Sequence, residues 1–386
     1  MPRRAPWPLL LIAAVVGFSS YCEARADEVT DALKTIAAVG PDAAGHRAAQ
    51  AAWRVAAKAD AARLPELLAA LDTADPLAAN WIRSAVETIG ERAETAGDKS
   101  PAPALEKFLL DVKHAPQGRR LAFELLTKLD KTAPERLMPG FLDDPSTELR
   151  REAIDRLLAT IADTNEADAK KAIYQKAFTA SRDVDQIKDL ADKVEKAGGR
   201  ADLPKHFGFI TSWKIIGPFD NMKEKGYDVA YPPESEIKPN KEMKFDAKYS
   251  GKGEKEITWV DHTTADKFGV VDLNEVLGKN KGALAYALAY FDSPADLSVD
   301  IRIGSGSAIK AWVNGKQVDA RKVYHSGFEI DQYISRAELK KGENTILIKV
   351  CENEQTESWA QDWKFQLRVC DSVGTALLTG PTWLGK

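Results

Sequence analysis

Cysteine is scarce in this sequence. Three cysteines in 386 residues exclude a small fold held together by disulfides, and 25 glycines with 19 prolines exclude a collagen-like chain. An excess of basic residues is also missing, because 54 Lys and Arg stand against 58 Asp and Glu and leave a formal net charge of −4. We therefore expect no nucleic-acid partner. The hydrophobic fraction of 44% is ordinary for a globular protein, and the length is typical of two or three domains.

The motifs of common catalytic and metal chemistry are missing as well. The sequence contains no phosphate-binding P-loop, no H-E-x-x-H, no C-x-x-C, no EF-hand loop and no G-x-S-x-G turn. Five scattered histidines share no metal-ligand spacing. We predict no catalytic residue, no cofactor-binding residue and no metal centre, although Asp292 or Asp371 could bind a structural calcium ion. Two carboxylates brought together by folding would escape this search, so a hydrolase remains the least favoured function.

Long hydrophobic runs are confined to the N-terminus. Residues 7–18 form an apolar run that is shorter than the ~20 residues of a membrane-spanning helix. Arg3 and Arg4 precede this run, and Ala24 and Ala26 form an A-x-A cleavage motif, so residues 1–26 are predicted to be a signal peptide. An uncleaved anchor is the alternative. The mature chain, without a membrane span, is expected in the periplasm or outside the cell.

Cleavage changes both the charge and the cysteine content. It removes three arginines and one glutamate, which takes the formal net charge from −4 to −6, and it leaves only Cys351 and Cys370. These two cysteines end the strand-like runs 345–350 and 363–369. If the runs form one hairpin, the cysteines lie about 23 Å apart at ~3.3 Å per residue, far beyond the ~7 Å that a disulfide spans. We predict two free thiols.

The two halves of the mature chain differ in composition. Residues 27–206 contain seven aromatic side chains and residues 207–386 contain 21. The first half is rich in helix formers, and the second is rich in glycine, aromatic and β-branched residues. The predicted fold is therefore multidomain, with an all-α domain over 27–200 followed by an all-β sandwich over 201–386.

Turn-like prolines recur in the helical half at irregular intervals, at Pro41, Pro76, Pro116 and Pro145. Helical apolar runs precede and follow them, and an Asp before Pro can cap the next helix. Over residues 30–160 this pattern resembles HEAT repeats, which implies a curved helical stack that presents a surface to a protein partner. A plain helical domain is the alternative. A further helical pair is predicted over 166–181 and 183–197.

Alternating apolar residues predict strands in the second half, for example over 297–303 and 309–313. Asn314 and Gly315 follow the second of these and predict a tight hairpin turn. The run 301–316 and the run 339–350 resemble the galactose-binding-like jelly roll over about residues 283–372, as found in exported bacterial envelope proteins. The resemblance implies a sugar-binding or accessory module. It matches the strand framework and carries over no ligand-binding residue.

Four residues are candidates for ligand binding. Trp359 lies in the polar stretch 352–361 and could stack on a sugar ring, although capping of the sandwich core is the favoured interpretation. Tyr324 and His325 lie in an irregular stretch, where a packed loop is favoured over a contact with sugar or peptide. Trp312 has the strand parity opposite to its apolar neighbours, so it either covers the other sheet face or forms a binding platform.

These patterns together predict an exported, non-enzymatic binding or scaffold protein. Its helical stack would bind a protein partner, and its sandwich would bind a glycan or act as a spacer. The alternative is a carbohydrate-binding accessory protein of polysaccharide breakdown, with the hydrolase as the less favoured third class.

Overall fold

A computed structural model describes residues 28–237 and 243–379 of the chain. The predicted signal peptide lies outside these residues. The chain divides into two compact units between Thr160 and Ile161. In the described residues, none of the helices combines the length and apolar character that crossing a membrane requires.

The first unit is helical. Its helices are α1 (28–37), α2 (His46–Ala56), α3 (Leu64–Ala69), α4 (Pro76–Ala96), α5 (Ala102–Leu110), α6 (Pro116–Leu129), α7 (Ala133–Leu137) and α8 (Thr147–Ala159). Asp75 caps α4 as its sequence predicts, because its Oδ1 accepts hydrogen bonds from the backbone N–H groups of Leu77 and Ala78. α4 ends at Gly97, whose φ of 67° suits glycine. These helices differ widely in length, from 5 residues in α7 to 21 in α4.

A buried ion pair fastens the second Asp-Pro turn. Arg119 on α6 donates two hydrogen bonds to Asp144, at 2.8 and 2.6 Å, and both side chains are buried. Here the Asp does not cap the following helix. That role falls to Ser146, whose Oγ accepts a hydrogen bond from the backbone of Leu149. The aspartate before proline therefore has two roles in this unit. Asp75 caps helix α4, and Asp144 forms an ion pair with Arg119 of helix α6.

The second unit begins with helices and continues into sheets. Its helices are α9 (Ala167–Ala180), α10 (Val184–Lys196), α11 (Leu203–Phe207), α12 (Pro232–Glu236) and α13 (Leu273–Leu277). Its strands are β1 (Ser212–Asp220), β2 (Tyr249–Ser250), β3 (Glu256–Ile257), β4 (Val260–Thr263), β5 (Val271–Asp272), β6 (Ala283–Ser293), β7 (Leu297–Gly304), β8 (Ala308–Val313), β9 (Lys316–Arg321), β10 (Tyr333–Leu339), β11 (Gly342–Glu352) and β12 (Lys364–Cys370). The helical pair α9 and α10 forms where predicted, but it is grouped with the sheets rather than with the first unit.

The strands form an antiparallel β-sandwich, which confirms the predicted fold class. One sheet has the order β4-β1-β6-β11-β8-β9, the other has the order β10-β7-β12-β5, and β2 and β3 form a small third sheet. Asn314 and Gly315 join β8 to β9 with φ angles of 52° and 76°, as the hairpin prediction requires.

The assumed hairpin between the two cysteine-containing strands is wrong. β11 pairs with β6 and β8, whereas β12 pairs with β7 and β5 in the other sheet. Cys351 and Cys370 are nevertheless free thiols, and both are buried. The two thiols stay apart because their strands belong to different sheets, not because they lie at opposite ends of one hairpin.

Two apolar clusters flank the six-stranded sheet. The inner cluster fills the space between the two main sheets and includes the alternating residues of β7 and β8. The outer cluster covers the opposite face with buried side chains that include Phe219, Tyr227, Ile237, Met243 and Trp259. Because both faces of this sheet are covered, β6 and β11 are buried along almost their whole length. Exposed residues lie in the loops at the ends of the strands and on the strands β4, β9 and β10.

Candidate functional site

Trp359 is the exposed aromatic side chain of the sandwich. It lies on a single helical turn, Ser358–Ala360, between β11 and β12, and 61% of its surface is exposed. The other aromatic side chains in the described residues are buried or half-buried. The favoured interpretation that Trp359 caps the core is therefore wrong, and Trp363, which is fully buried in the inner cluster, takes that place.

The loop that carries Trp359 is held by a set of internal hydrogen bonds. The Nε2 of Gln361 donates to the carbonyl oxygens of Thr356 and Glu357, at 2.8 Å each. Asn353 closes the beginning of the loop, because its Oδ1 accepts from the backbone N–H of Gln355 at 3.1 Å. A loop tied in this way presents its tryptophan in one orientation, which lowers the entropic cost of binding a ligand.

His325 contacts Trp359 from the neighbouring loop. The two ring centroids are 5.1 Å apart and the rings are nearly perpendicular, at 88°. The Nε2–H of His325 donates to Asn353 Oδ1 at 2.9 Å, which ties this loop to the tryptophan loop. Tyr324 lies beside it and accepts a hydrogen bond from Asn221 on its hydroxyl oxygen, at 3.1 Å. Three of the four candidates, Tyr324, His325 and Trp359, thus lie at one end of the sandwich.

Trp312 occupies a different position. It points to the outer face of the six-stranded sheet, where it is 9% exposed and packs in the outer cluster with Leu347 and Cys351. The structure therefore agrees with the interpretation that Trp312 covers the other sheet face. Its ring does not present a free surface on which a ligand could stack.

An ion pair lies next to the tryptophan loop. Glu352 at the end of β11 is buried, and its Oε1 accepts from the ammonium group of Lys281 at 2.5 Å. Burial raises the pKa of Glu352, and the charge of Lys281 opposes that rise. Lys281 also donates to the carbonyl oxygen of Ala360, next to Trp359. Glu354 accepts a hydrogen bond from the backbone N–H of Lys223. The residues near the ring of Trp359 therefore include amide groups, the imidazole of His325 and the Lys281–Glu352 ion pair.

Sequence reasoning missed the polar residues that support this end of the sandwich. Asn353 could have been found as the first amide of the polar stretch 352–361. Asn221 and Lys281 gave no local signal, because Asn221 lies 103 residues from Tyr324 and Lys281 lies 71 residues from Glu352.

The two calcium candidates have other roles in the structure. Asp371 accepts hydrogen bonds on its Oδ1 from the backbone of Val373 and Thr375, and so closes the turn after β12. Asp292 is near the end of β6, where its backbone N–H donates to Thr379 Oγ1. Within residues 28–237 and 243–379, no group of three His, Cys, Asp or Glu side chains could hold a metal ion.

The first unit contains a separate groove of about 760 Å³ beside α5, α6 and α7. Arg136 and Glu106 form two hydrogen bonds at its edge, of 2.6 and 2.7 Å. Leu110 contributes an apolar side chain that is 51% exposed. No sequence candidate lies in this groove.

Comparison with known proteins gives little further information. No family model matches the chain, and no curated protein matches it. A family 35 carbohydrate-binding module from Clostridium thermocellum is 13% identical, over 25% of this chain and 86% of the module, with a TM-score of 0.17.

Two larger proteins align comparably weakly. A β-glucuronidase from an uncultured Clostridium sp. is 12% identical over 42% of this chain, with a TM-score of 0.25. A β-glucosidase from Kluyveromyces marxianus is 9% identical over 74% of this chain, with a TM-score of 0.24. The chain spans 29% and 35% of the length of these two enzymes. Likenesses at such low TM-scores carry no argument about this chain, so its function has to be argued from its own residues.

Proposed function

We propose that this chain is an exported, non-enzymatic binding protein whose galactose-binding-like sandwich binds a polysaccharide through Trp359. The observation that carries the proposal is the exposure of this single indole, 61%, on a loop that is fixed by its own hydrogen bonds. An exposed aromatic ring is a surface on which the C–H face of a sugar packs, because both remove apolar area from water.

The surroundings of Trp359 favour a neutral polysaccharide. Sugar hydroxyl groups need donors and acceptors at the edge of the stacking surface, and Gln355, His325 and the exposed Ser358 provide such groups. Lys281 and Glu352 form an ion pair, and the exposed carboxylate of Glu357, two residues before Trp359, disfavours an acidic sugar there. The same argument supports the alternative of an accessory protein in polysaccharide breakdown, in which attachment to the polymer is the main role.

The first unit is proposed to be a HEAT-like stack that binds a protein partner. Its support is the groove beside α5, which Leu110 lines with a side chain that is 51% exposed. Val112, two residues later in the chain, is 58% exposed, and exposed apolar side chains are typical of surfaces that become covered on association. In this view the chain connects a protein bound by its helical unit to a polysaccharide bound by its sandwich.

Affinity electrophoresis through gels that contain soluble neutral polysaccharides tests the sandwich proposal. The wild-type protein should be retarded by at least one polymer, and Trp359→Ala should weaken the interaction at least tenfold without changing the melting temperature. Ile334→Ala is the matched control, because Ile334 is an exposed apolar residue on β10, 51% exposed, and its loss should leave retardation unchanged. Equal retardation of wild type and Trp359→Ala would contradict the proposal, as would the absence of retardation in every polymer tested.

The non-enzymatic part of the proposal has its own test. Incubation of the protein with each retarding polymer should release no reducing ends above a buffer blank. Release that disappears after substitution of one carboxylate would instead establish the hydrolase alternative.

A further inference from the structure

We propose that Asn221 is a positioning residue of the candidate site, which sets the Tyr324–His325 loop against Trp359. This inference rests on the proposed function for its binding readout, but its geometry does not depend on any ligand. Asn221 follows β1 directly and is completely buried.

The side chain of Asn221 joins three segments that are distant in sequence. Its Nδ2 donates to the hydroxyl oxygen of Tyr324 at 3.1 Å and to the carbonyl oxygen of Glu352 at 3.0 Å. Its Oδ1 accepts from the backbone N–H of Tyr227 at 3.0 Å. Both amide hydrogens and the amide oxygen are therefore used, which is the full donor capacity of an asparagine.

The backbone of Asn221 forms two further hydrogen bonds. Its N–H donates to the carbonyl oxygen of Gly282 at 2.8 Å, just before β6, and its carbonyl oxygen accepts from Glu224 at 2.9 Å. The turn that follows is strained, since Lys223 and Glu224 have φ angles of 54° and 57°. A turn of this kind persists only where its surroundings over-determine it, and here Asn221 does so together with Glu354, which accepts from the backbone N–H of Lys223.

The hydrogen bond from Asn221 to Tyr324 is connected to Trp359 through a single residue, His325. Tyr324 is followed by His325, whose φ of 56° directs its ring toward the edge-on contact with Trp359 at 5.1 Å. Release of the Tyr324 hydroxyl group removes the fixed point next to this left-handed residue. His325 keeps its hydrogen bond to Asn353 Oδ1, so the contact between His325 and Trp359 should shift in geometry rather than be lost, although neither residue has been changed.

An amide is the side chain of this shape that makes all three hydrogen bonds. Aspartate has no hydrogen to donate, so Asn221→Asp brings a carboxylate oxygen against the carbonyl oxygen of Glu352, and the Tyr324 hydroxyl group has to change from acceptor to donor. Tyr324→Phe is the milder variant, because it deletes a single acceptor and keeps the ring in the outer cluster.

Asn344 provides a matched control at the opposite end of β11. It is also a buried asparagine, and its Nδ2 donates to the carbonyl oxygens of Lys340 and Gly342. Asn344→Asp should therefore destabilise the sandwich in the same way while leaving the tryptophan loop untouched.

The experiment records the indole N–H resonance of Trp359 in a 15N-labelled protein, assigned by its loss in Trp359→Phe, together with affinity for a retarding polysaccharide. Asn221→Asp and Tyr324→Phe should shift this resonance and weaken binding about fivefold or more. Asn344→Asp should lower the melting temperature and leave both readouts unchanged. An unshifted resonance in Tyr324→Phe, or an equal shift in Asn344→Asp, would overturn the inference. If the wild type binds no polysaccharide, the proposed function fails, whereas the resonance still decides the positioning role.

Discussion

Lys349 lies inside the protein without solvent contact. Its Nζ donates to the carbonyl oxygens of Tyr227 and Val229 and to Glu234, at 3.1, 2.8 and 2.8 Å. Burial lowers the pKa of Lys349, and the hydrogen bond that Lys349 donates to Glu234 opposes that shift. Each proton of the ammonium group has one partner, so the cost of removing the charge from water is offset by complete hydrogen bonding. This lysine fastens the segment after β1 to the outer face of the sheet.

Removal of the Lys349 charge should destabilise the folded state. Lys349→Met leaves Glu234, whose side chain is 13% exposed and also accepts from the Tyr286 hydroxyl group, without its cation. It should reduce the free energy of unfolding by about 3 kcal/mol, the lower end of the range for breaking a buried ion pair. Denaturant unfolding measures the effect. The double variant Lys349→Met/Glu234→Gln is the control and should lose less than the single variant. A loss below about 1 kcal/mol in Lys349→Met would contradict this account.

His206 gives the molecule a pH-dependent stability. Burial lowers its pKa to about 4, and its ring stacks on Phe178 while its Nε2–H donates to the carbonyl oxygen of Ser181 at 3.0 Å. The folded state therefore holds the neutral ring, whereas the unfolded chain takes up a proton near pH 6.5. The stabilisation is fully present above pH 6.5 and is lost as the pH falls toward 4.

The measurement for His206 is a series of unfolding experiments between pH 7 and pH 4. The wild type should lose on the order of 3 kcal/mol more than His206→Gln over this interval, from ~1.36 kcal/mol per pKa unit. Glutamine keeps a donor for Ser181 and does not titrate. Parallel pH curves for the two proteins would show that His206 makes no such contribution.

At the scale of the elements, helix α4 begins at an aspartate cap. Asp75→Ala removes the acceptor for two backbone N–H groups and should cost about 1 kcal/mol of stability, as read from chemical denaturation. Glu166→Ala is the matched control, because Glu166 precedes α9 without a side-chain hydrogen bond to that helix. Equal losses in the two variants would argue that the cap is not the cause.

Local patterns predicted several elements well, because the forces that form them act over a few residues. The alternation in β7 and β8 directs their apolar side chains into the inner cluster, and the Asn314–Gly315 turn needs only its own backbone. The pairing of β11 with β12 was predicted wrongly for the opposite reason. Strands of similar pattern can pair with several partners, and the choice depends on burial of both faces of β11, which its sequence does not specify.

The candidate site was predicted only in part. Tyr324, His325 and Trp359 were found by residue type and loop position, and the structure brings them together. The exposure of Trp359 could not be foreseen, since it depends on hydrogen bonds from Gln361 and Lys281 that direct the loop outward. Trp363, four residues later, is buried in the core and takes the role that was expected of Trp359.

At the scale of the whole molecule, the division into units makes a prediction about fragments. The helices α9 and α10 contact the β-sandwich region through Arg182, which donates to Thr375 Oγ1, and through Lys188, whose ammonium group lies 5.2 Å from the ring centroid of Phe268. A fragment that starts at residue 161 should therefore unfold cooperatively at a higher temperature than one that starts at residue 201. Calorimetry of both fragments measures this difference. Equal melting temperatures would place the boundary at residue 200, as the composition suggested.

The two buried cysteines have a practical consequence for labelling. Burial raises the pKa of Cys351 to about 12 and that of Cys370 to about 11, so both remain protonated thiols at neutral pH and react slowly with alkylating reagents. A cysteine introduced at exposed Ile334 would then be the reactive thiol among the described residues. A fluorophore or spin label could be attached there without first removing Cys351 or Cys370, and its signal would report on that position of the sandwich.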